Sequence, residues 1–424
     1  MESAIGLKVA ALTDIGMRRT TNQDNHAVVL ASSPEMLSSR GHLLIVADGM
    51  GAHAAGELAS KLAVDGIPHL YLKYTDLPPA EALLRAIRET NTEIHRRGQA
   101  NIDFYHMGTT CSALVLLPQQ AWIAHVGDSR VYRLRGQRLC QLTFDHSLQW
   151  ELRASGQLPA GTDLAAIIPK NVITRSLGPN PHVEVDLEGP LPIAEGDIYL
   201  LCSDGLTGRV DDAEIGAILT TLPPDEAAQV LIDLANLRGG PDNITVVIAQ
   251  VVGPDLVAPD LGEEASPAHR PRSQRSDPLV WALPLAALLL AGLLGILHYP
   301  RVAAATLVLA VGALLAGLAW RWRSKAPIPH EPTPRPGHGP YAEVVCTPNG
   351  TLVGKLKQTL DELREAAREG EWTIAWEPLD EAFQGALAAE KSGNYVEAVR
   401  QLCRGISYVM SALRSQGGGA ASGR

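Results

Sequence analysis

Five short segments, each built on an aspartate, follow one another through the first part of the chain. They are Arg19-Thr20-Thr21-Asn22-Gln23-Asp24, Ala47-Asp48-Gly49-Met50-Gly51, Val126-Gly127-Asp128-Ser129-Arg130, Cys202-Ser203-Asp204-Gly205 and Pro241-Asp242-Asn243. Aspartate is a hard oxygen ligand of the kind that magnesium and manganese take. A single Asp-Gly pair usually marks a turn; an ordered series of five asks for another explanation. Three of the segments follow apolar runs that read as strands, at 42–47, 121–126 and 198–202. An aspartate at the end of a buried strand, with glycine beside it, places a carboxylate on the rim of a sheet, where it can meet others around a cation. Two divalent ions held in this way activate water and polarise a phosphoryl oxygen. No Cys-x5-Arg loop and no Gly-x-Ser-x-Gly elbow is present, so nothing in the chain calls for a covalent nucleophile.

The elements that must position these aspartates lie within residues 1–252, where short apolar runs alternate with Gly, Pro and Asn. Helical patterns interrupt them at 54–74 and at 79–97, where Leu83, Leu84, Ile87 and Ile94 are spaced for one face. Two more are expected at 212–219, beside an acidic cap, and at 225–238, after Pro223-Pro224. Many strands with a few helices in separate groups predict an α+β fold rather than a βαβ repeat.

The chain has 424 residues, a net charge of -10 and 46% hydrophobic residues. The acidic balance argues against nucleic acid as a partner. Cys111, Cys140, Cys202, Cys346 and Cys403 are scattered, with no Cys-x-x-Cys pair, and read as buried thiols in a reducing compartment. Met1–Lys8 has no basic region followed by an apolar core, so no secretory signal is expected. A Pro-rich linker is expected at 253–278. Two uncharged apolar stretches follow, 279–297 and 302–320. At 1.5 Å per residue each would make a helix about 28 Å long, enough to cross a bilayer. They predict a two-helix transmembrane hairpin. Arg270, Arg272 and Arg275 before it, with Arg321, Arg323 and Lys325 after it, place both flanks in the cytoplasm. The expectation is a two-pass inner (plasma) membrane protein whose N-terminal domain and C-terminal tail share the cytosol. A second Pro-rich linker is expected at 321–349, then a small helical bundle at 350–415 and a flexible tail at 416–424. Leu352, Leu356, Leu360 and Leu363 mark one helical face, and 386–399 resembles the hairpin of one tetratricopeptide repeat. Gly292-Gly295 and Gly312-Gly317 leave room for oligomer contacts through the hairpin, and the tail offers a second route.

The five aspartate segments are joined by Met107-Gly108-Thr109-Thr110, Leu142-Thr143-Phe144-Asp145-His146-Ser147 and Ile173-Thr174-Arg175-Ser176-Leu177-Gly178. In this order the set resembles the bacterial type 2C, or PPM, metal-dependent protein serine/threonine phosphatases, from about Val9 to Val251. The resemblance implies an α-β-β-α sandwich of two antiparallel sheets flanked by helices, with metals in a cleft at one end. It implies two Mn2+ or Mg2+ ions, with a third in bacterial members. Asp48 would bridge two ions, and the Gly49 carbonyl would bind the second. Asp204 and Asp242 would bind the first, and Asp24 would act through coordinated water. Asp128, with Asp204, would hold the third. Asp48, Asp204 and Asp242 are therefore the expected catalytic set, and Arg19 the expected phosphate-binding residue. The implied reaction is hydrolysis of phosphoserine and phosphothreonine in proteins by a metal-bridged water or hydroxide, without a covalent intermediate. The implied partners are serine/threonine kinases and their substrates.

Three positions depart from the family pattern, Ala52 for a second glycine, Gln23 for a frequent Glu and Gly208 for a usual aspartate, while Met50, the bacterial norm, stands where eukaryotic members carry a histidine proposed as general acid. The proton donor is thereby unassigned. Thr109, Thr110, His53 and His146 read as structural, Asn243 as an orienter of Asp242 or a turn cap, and 149–171 as a flap beside the cleft. Residues 1–252 are expected to be active alone. The alternative reading is a weakly active phosphatase-like scaffold that binds partners through its C-terminal helical tail.

Overall fold

The computed structural model describes residues 2–51, 54–155, 172–257, 339–369 and 374–420. The expected hairpin at 279–320, most of both expected linkers, residues 156–171 of the expected flap, and Ala52 and His53 lie outside the described residues. Among the described residues no helix is long and apolar enough to cross a membrane. Residues Met1–Pro259 and Pro334–Arg424 form one compact unit; the second unit, Asp260–Thr333, lies outside the described residues.

The strands are β1 (Glu2–Ala4), β2 (Leu7–Asp14), β3 (Asp24–Val29), β4 (His42–Met50), β5 (Gly108–Thr109), β6 (Cys111–Leu117), β7 (Gln120–Val126), β8 (Arg130–Arg135), β9 (Arg138–Gln141), β10 (Asp186–Pro192), β11 (Ile198–Cys202), β12 (Ile244–Val251) and β13 (Ala342–Val345). One sheet runs β1-β2-β12-β11-β8-β9-β13 and the other β10-β7-β6-β4-β3, with β5 paired to β4. All the pairings are antiparallel. The helices are α1 (Pro34–Ser39), α2 (Ala55–Lys73), α3 (Pro79–Ala100), α4 (Leu148–Ala154), α5 (Asp204–Thr207), α6 (Asp212–Thr221), α7 (Pro224–Leu237), α8 (Gly350–Glu369), α9 (Glu377–Lys391) and α10 (Tyr395–Ala420).

Side-chain alternation along the central strands explains the layers, because successive residues of a strand face opposite sides. Leu44 and Val46 join Tyr199, Leu201, Val247 and Ala249 between the sheets. Their neighbours Leu43, Ile45 and Ala47 meet Ala59, Ala63, Ile67, Leu83 and Ile87 of α2 and α3 on one outer face. Leu200, Val246 and Ile248 meet Ile218, Leu231 and Leu234 of α6 and α7 on the other. Both sheets are thus apolar on two faces, which is why their strands read as continuous apolar runs. The fold is α+β, with two antiparallel sheets between helices, and four helices fall within a few residues of their expected bounds. The described part of the expected flap contains α4, with Ser147 capping it by accepting from the Trp150 N–H.

The C-terminal helices do not stand apart from this body. Leu352, Leu356, Leu360, Ile406 and Val409 belong to the same apolar cluster as Ile218 and Leu231. Residues 339–346, inside the stretch expected as a linker, contain β13. It pairs with β9 in the register Ala342↔Gln141 to Val345↔Arg138 and so covers that sheet edge. Four residues are too short a run to declare a strand; the edge waiting for them decides it. Cys346, next in the chain, is buried against α6 at Gly216, where a Cβ would stand 2.1 Å from the Cys346 sulfur. Lys355 reaches Asp211 and Glu214 at the start of α6, at 3.2 and 3.4 Å, and Arg404 pairs with Glu226 of α7 at 2.8 Å.

Candidate active site

Antiparallel pairing brings the five aspartate segments to one end of the two sheets. Asp24 opens β3 and stands opposite Asp48 near the end of β4. Asp204 follows β11, and Asp242 precedes β12 by two residues. Because Cys202 pairs with Val246, both leave the sheet on the same side. Asp128 lies in the turn between β7 and β8. Arg19 sits on the loop after β2 and pairs through Nη2 with Asp242 Oδ2 at 2.7 Å.

Each carboxylate is held by its own scaffold. Asp24 is buried, and its Oδ2 accepts from Ser203 Oγ at 2.7 Å and Thr245 Oγ1 at 2.8 Å. The Asp48 backbone is fixed on both sides: its N–H donates to Thr110 Oγ1 at 2.8 Å, and its carbonyl accepts from the Thr110 N–H and from Thr109 Oγ1. Gly49 allows β4 to press on the start of α2, where a Cβ would stand 2.1 Å from the Gly56 carbonyl oxygen. Asp204 is the first residue of α5, after Ser203. Asn243 is a clamp: its Oδ1 accepts from the Gln23 N–H at 2.8 Å, and its Nδ2 donates to the Ile15 and Thr21 carbonyls. It ties the loop that carries Arg19 to the strand that follows Asp242.

The electrostatics are those of like charges forced together. Burial pushes the Asp48 carboxyl well above the usual range, and Asp24, Asp204, Asp128 and Asp242 push it further. Asp24 is raised by burial and by Asp204 and Asp242, against the two hydroxyls that favour its anion. Asp128 is raised by burial, then by Asp204 and Asp145. Asp204 is raised by burial and Asp242, while a hydrogen bond with Asp48 opposes the rise. Asp24 Oδ1, Asp128 Oδ1 and Asp204 Oδ1 are buried without a hydrogen-bond partner. Buried acceptors left unpaired are costly, and three in one cluster of anions call for a cation.

Among the described residues no three such side chains already converge on one ion. Asp242 turns to Arg19 and Asp204 to Asp48. The donor set nonetheless fits a hard divalent cation: it is all oxygen, anionic, partly desolvated and carries unused lone pairs.

His146 is buried away from this cluster's chemistry. Its Nδ1 accepts from the Gly127 N–H at 3.0 Å and its Nε2 donates to Asp186 Oδ2 at 3.0 Å, while Arg175 holds the other Asp186 oxygen at 2.6 Å. It shapes the turn before Asp128. Arg130 is equally structural, forked on Asp145 with bonds of 2.7–3.0 Å. Two supports of the site escape sequence reading: Ser203 inside its motif and Thr245 outside every motif. A threonine amid Ile244, Val246, Val247 and Ile248 is the available signal, since the apolar run has no packing use for a hydroxyl.

The protein phosphatase 2C family profile matches residues 18–150. Protein phosphatase PhpP of Streptococcus pneumoniae is 37% identical over 251 residues, spanning 58% of this chain and 98% of that relative. The serine/threonine phosphatase stp of Listeria monocytogenes is 40% identical over 243 residues, spanning 56% and 93%. Among solved structures, the serine/threonine phosphatase of S. agalactiae superposes with a TM-score of 0.51 at 38% identity, covering 58% of this chain and 99% of that one. The Mycobacterium tuberculosis phosphatase PstP/Ppp gives 0.51 at 36%, covering 58% and 99%. More than a third of this chain therefore has no counterpart in these relatives. The fold, the ordered aspartates and these likenesses together make the chain a member of the metal-dependent, type 2C protein serine/threonine phosphatase family.

Proposed function

We propose that this enzyme is a membrane-anchored phosphatase that uses manganese or magnesium to hydrolyse phosphoserine and phosphothreonine in proteins. The observation that carries the reading is the gathering of Asp24, Asp48, Asp128, Asp204 and Asp242, with unpartnered buried oxygens, beside Arg19. Ions bound there would supply Lewis acidity toward a phosphoryl oxygen and acidify water. Asp48, Asp204 and Asp242 are the residues to hold them, with Gly49 through its carbonyl, Asp24 through coordinated water, and Asp128 with Asp204 for a third. Ser203 and Thr245 keep Asp24 aimed, and Thr109 and Thr110 keep Asp48 in place. Arg19 offers a planar fork to the substrate phosphate and exchanges Asp242 for it.

The anchor rests on 279–297 and 302–320. Its two-pass arrangement gains support from the chain path. Val257 and Gly339 belong to one compact unit, so whatever leaves after the first returns before the second. Any bilayer crossing between them then occurs an even number of times, in keeping with basic flanks on both sides. Confinement to the membrane surface would raise the enzyme's effective concentration near membrane serine/threonine kinases and their targets.

The test uses the full chain in detergent, with p-nitrophenyl phosphate and a phosphothreonine peptide, in manganese and in EDTA. Turnover that requires manganese and is lost in Asp204→Ala supports the reading. No turnover by a folded chain that binds manganese sinks it and leaves the scaffold alternative. Labelling of the 339–424 tail from outside intact cells would overturn the topology.

A further inference from the structure

The C-terminal helices reach the back of the candidate active site through one side chain. Arg414 of α10 places Nη2 2.5 Å from Asp233 Oδ1 and 3.8 Å from Asp14 Oδ2. Asp233 is fully buried on α7, the helix that leads through Gly239-Gly240 to Asp242. Asp14 ends β2 and starts the loop to Arg19. Its Oδ1 accepts from the Gly16 N–H at 2.9 Å and from Asn236 Nδ2 of α7 at 3.0 Å. The two segments meet again where the Met17 N–H donates to the Gly240 carbonyl at 2.8 Å. One tail guanidinium thus bridges the segment that carries Arg19 and the segment that carries Asp242, which themselves form an ion pair.

We propose that Arg414 is a positioning residue for the phosphate-binding arm, so that the C-terminal helices act as a built-in activator of the phosphatase. This rests on the reading of Arg19 and Asp242 given above. Asp233 Oδ1 also accepts from Gln229 Nε2 at 3.0 Å, but the cation beside it is Arg414, which comes from a part of the chain that the compared phosphatases lack. Docked, the tail holds the loop and α7 in register; displaced, it leaves the Asp14–Asp233 side uncompensated and the arm loose. Small displacements of a positioning group cost catalytic efficiency steeply.

The test compares full-length Arg414→Ala with Arg404→Ala, which breaks the exposed bridge between the same two helices at the start of α7, away from Asp242. Arg414→Lys, which keeps the charge, guards against misfolding. Wild-type turnover that needs manganese establishes the underlying reading separately. Expected in Arg414→Ala is a three- to tenfold rise in KM for a phosphothreonine peptide. Manganese affinity by calorimetry should weaken alongside, with kcat within twofold, partial rescue in Arg414→Lys, and neither constant moved in Arg404→Ala. KM and manganese affinity within twofold of the Arg404→Ala values, in a folded protein, would overturn the proposal, as would equal changes in both variants.

Discussion

The rim of the sheets and the seam under the C-terminal helices are both crowded with charge, and they treat it in opposite ways. At the rim, Asp24, Asp48, Asp128 and Asp204 repel one another, and three of their buried oxygens have no partner. At the seam the acids have cations: Glu226 has Arg404, Glu214 has Arg238 and Lys355, and Asp233 has Arg414 on Oδ1, although its Oδ2 is buried without a partner. A seam built to stay shut pairs its charges over an apolar core. A site built to take a divalent ion leaves its charges unpaired and bears the cost in stability.

The strongest way to break this comparison is at the rim. Asp204→Ala should lower turnover at least about 1,000-fold, since it removes a carboxylate assigned to the metal. Steady-state kinetics in saturating manganese would show it, and residual activity above a tenth of wild type would remove Asp204 from the catalytic set. The seam answers to packing instead. Ile406→Ala, at a fully buried position, should cost about 2–5 kcal/mol. Because the tail and the phosphatase body share one core, it should lower a single cooperative transition. Two separate calorimetric transitions would show that the tail is an independent bundle.

Acid tests a buried group that is held neutral instead. Burial holds the His125 imidazole down near pH 3, with His146 adding to the fall, against an ordinary value of 6.5. The unfolded chain then takes up the proton first. His125 therefore contributes stability that is complete above about pH 6.5 and drains away as the pH falls toward 3, on the order of a few kcal/mol. Urea unfolding of His125→Gln against wild type across that range should show the difference between them shrinking with acid; parallel curves would refute it. Smaller again is the gain from metal. Manganese at 100 times its Kd should stabilise the wild type by about 2.7 kcal/mol and Asp48→Asn by far less. A melting temperature that manganese leaves unmoved would contradict the reading of the rim as a cation site. Smallest is Arg404→Ala, an exposed bridge worth under about 1 kcal/mol; a larger loss in chemical denaturation would mean that the seam depends on its surface charges.

The aspartate segments and their order are legible in the amino-acid sequence itself, because a ligand set is specified by residue type. The helices α2 and α3 are legible because each buries one face, a periodicity that survives in one dimension, and α6 and α7, buried nearly all round, are legible from the acidic cap and the Pro223-Pro224 pair that open them. The helical character of the tail is equally plain from Leu352, Leu356, Leu360 and Leu363. Its placement is not. A leucine stripe states that a helix needs a partner without saying which, and here the partner is α6 and α7 rather than the tail alone. Tertiary structure alone decided that Ala342–Val345 is a strand, since its hydrogen bonds are satisfied only by the free edge of β9. It alone decided the duties of Thr245, Ser203 and Asn243, whose partners lie 42 to 228 residues away. And it alone brought Arg414 to Asp14 and Asp233, because an ion pair is set by distance in space, which no spacing along the chain records.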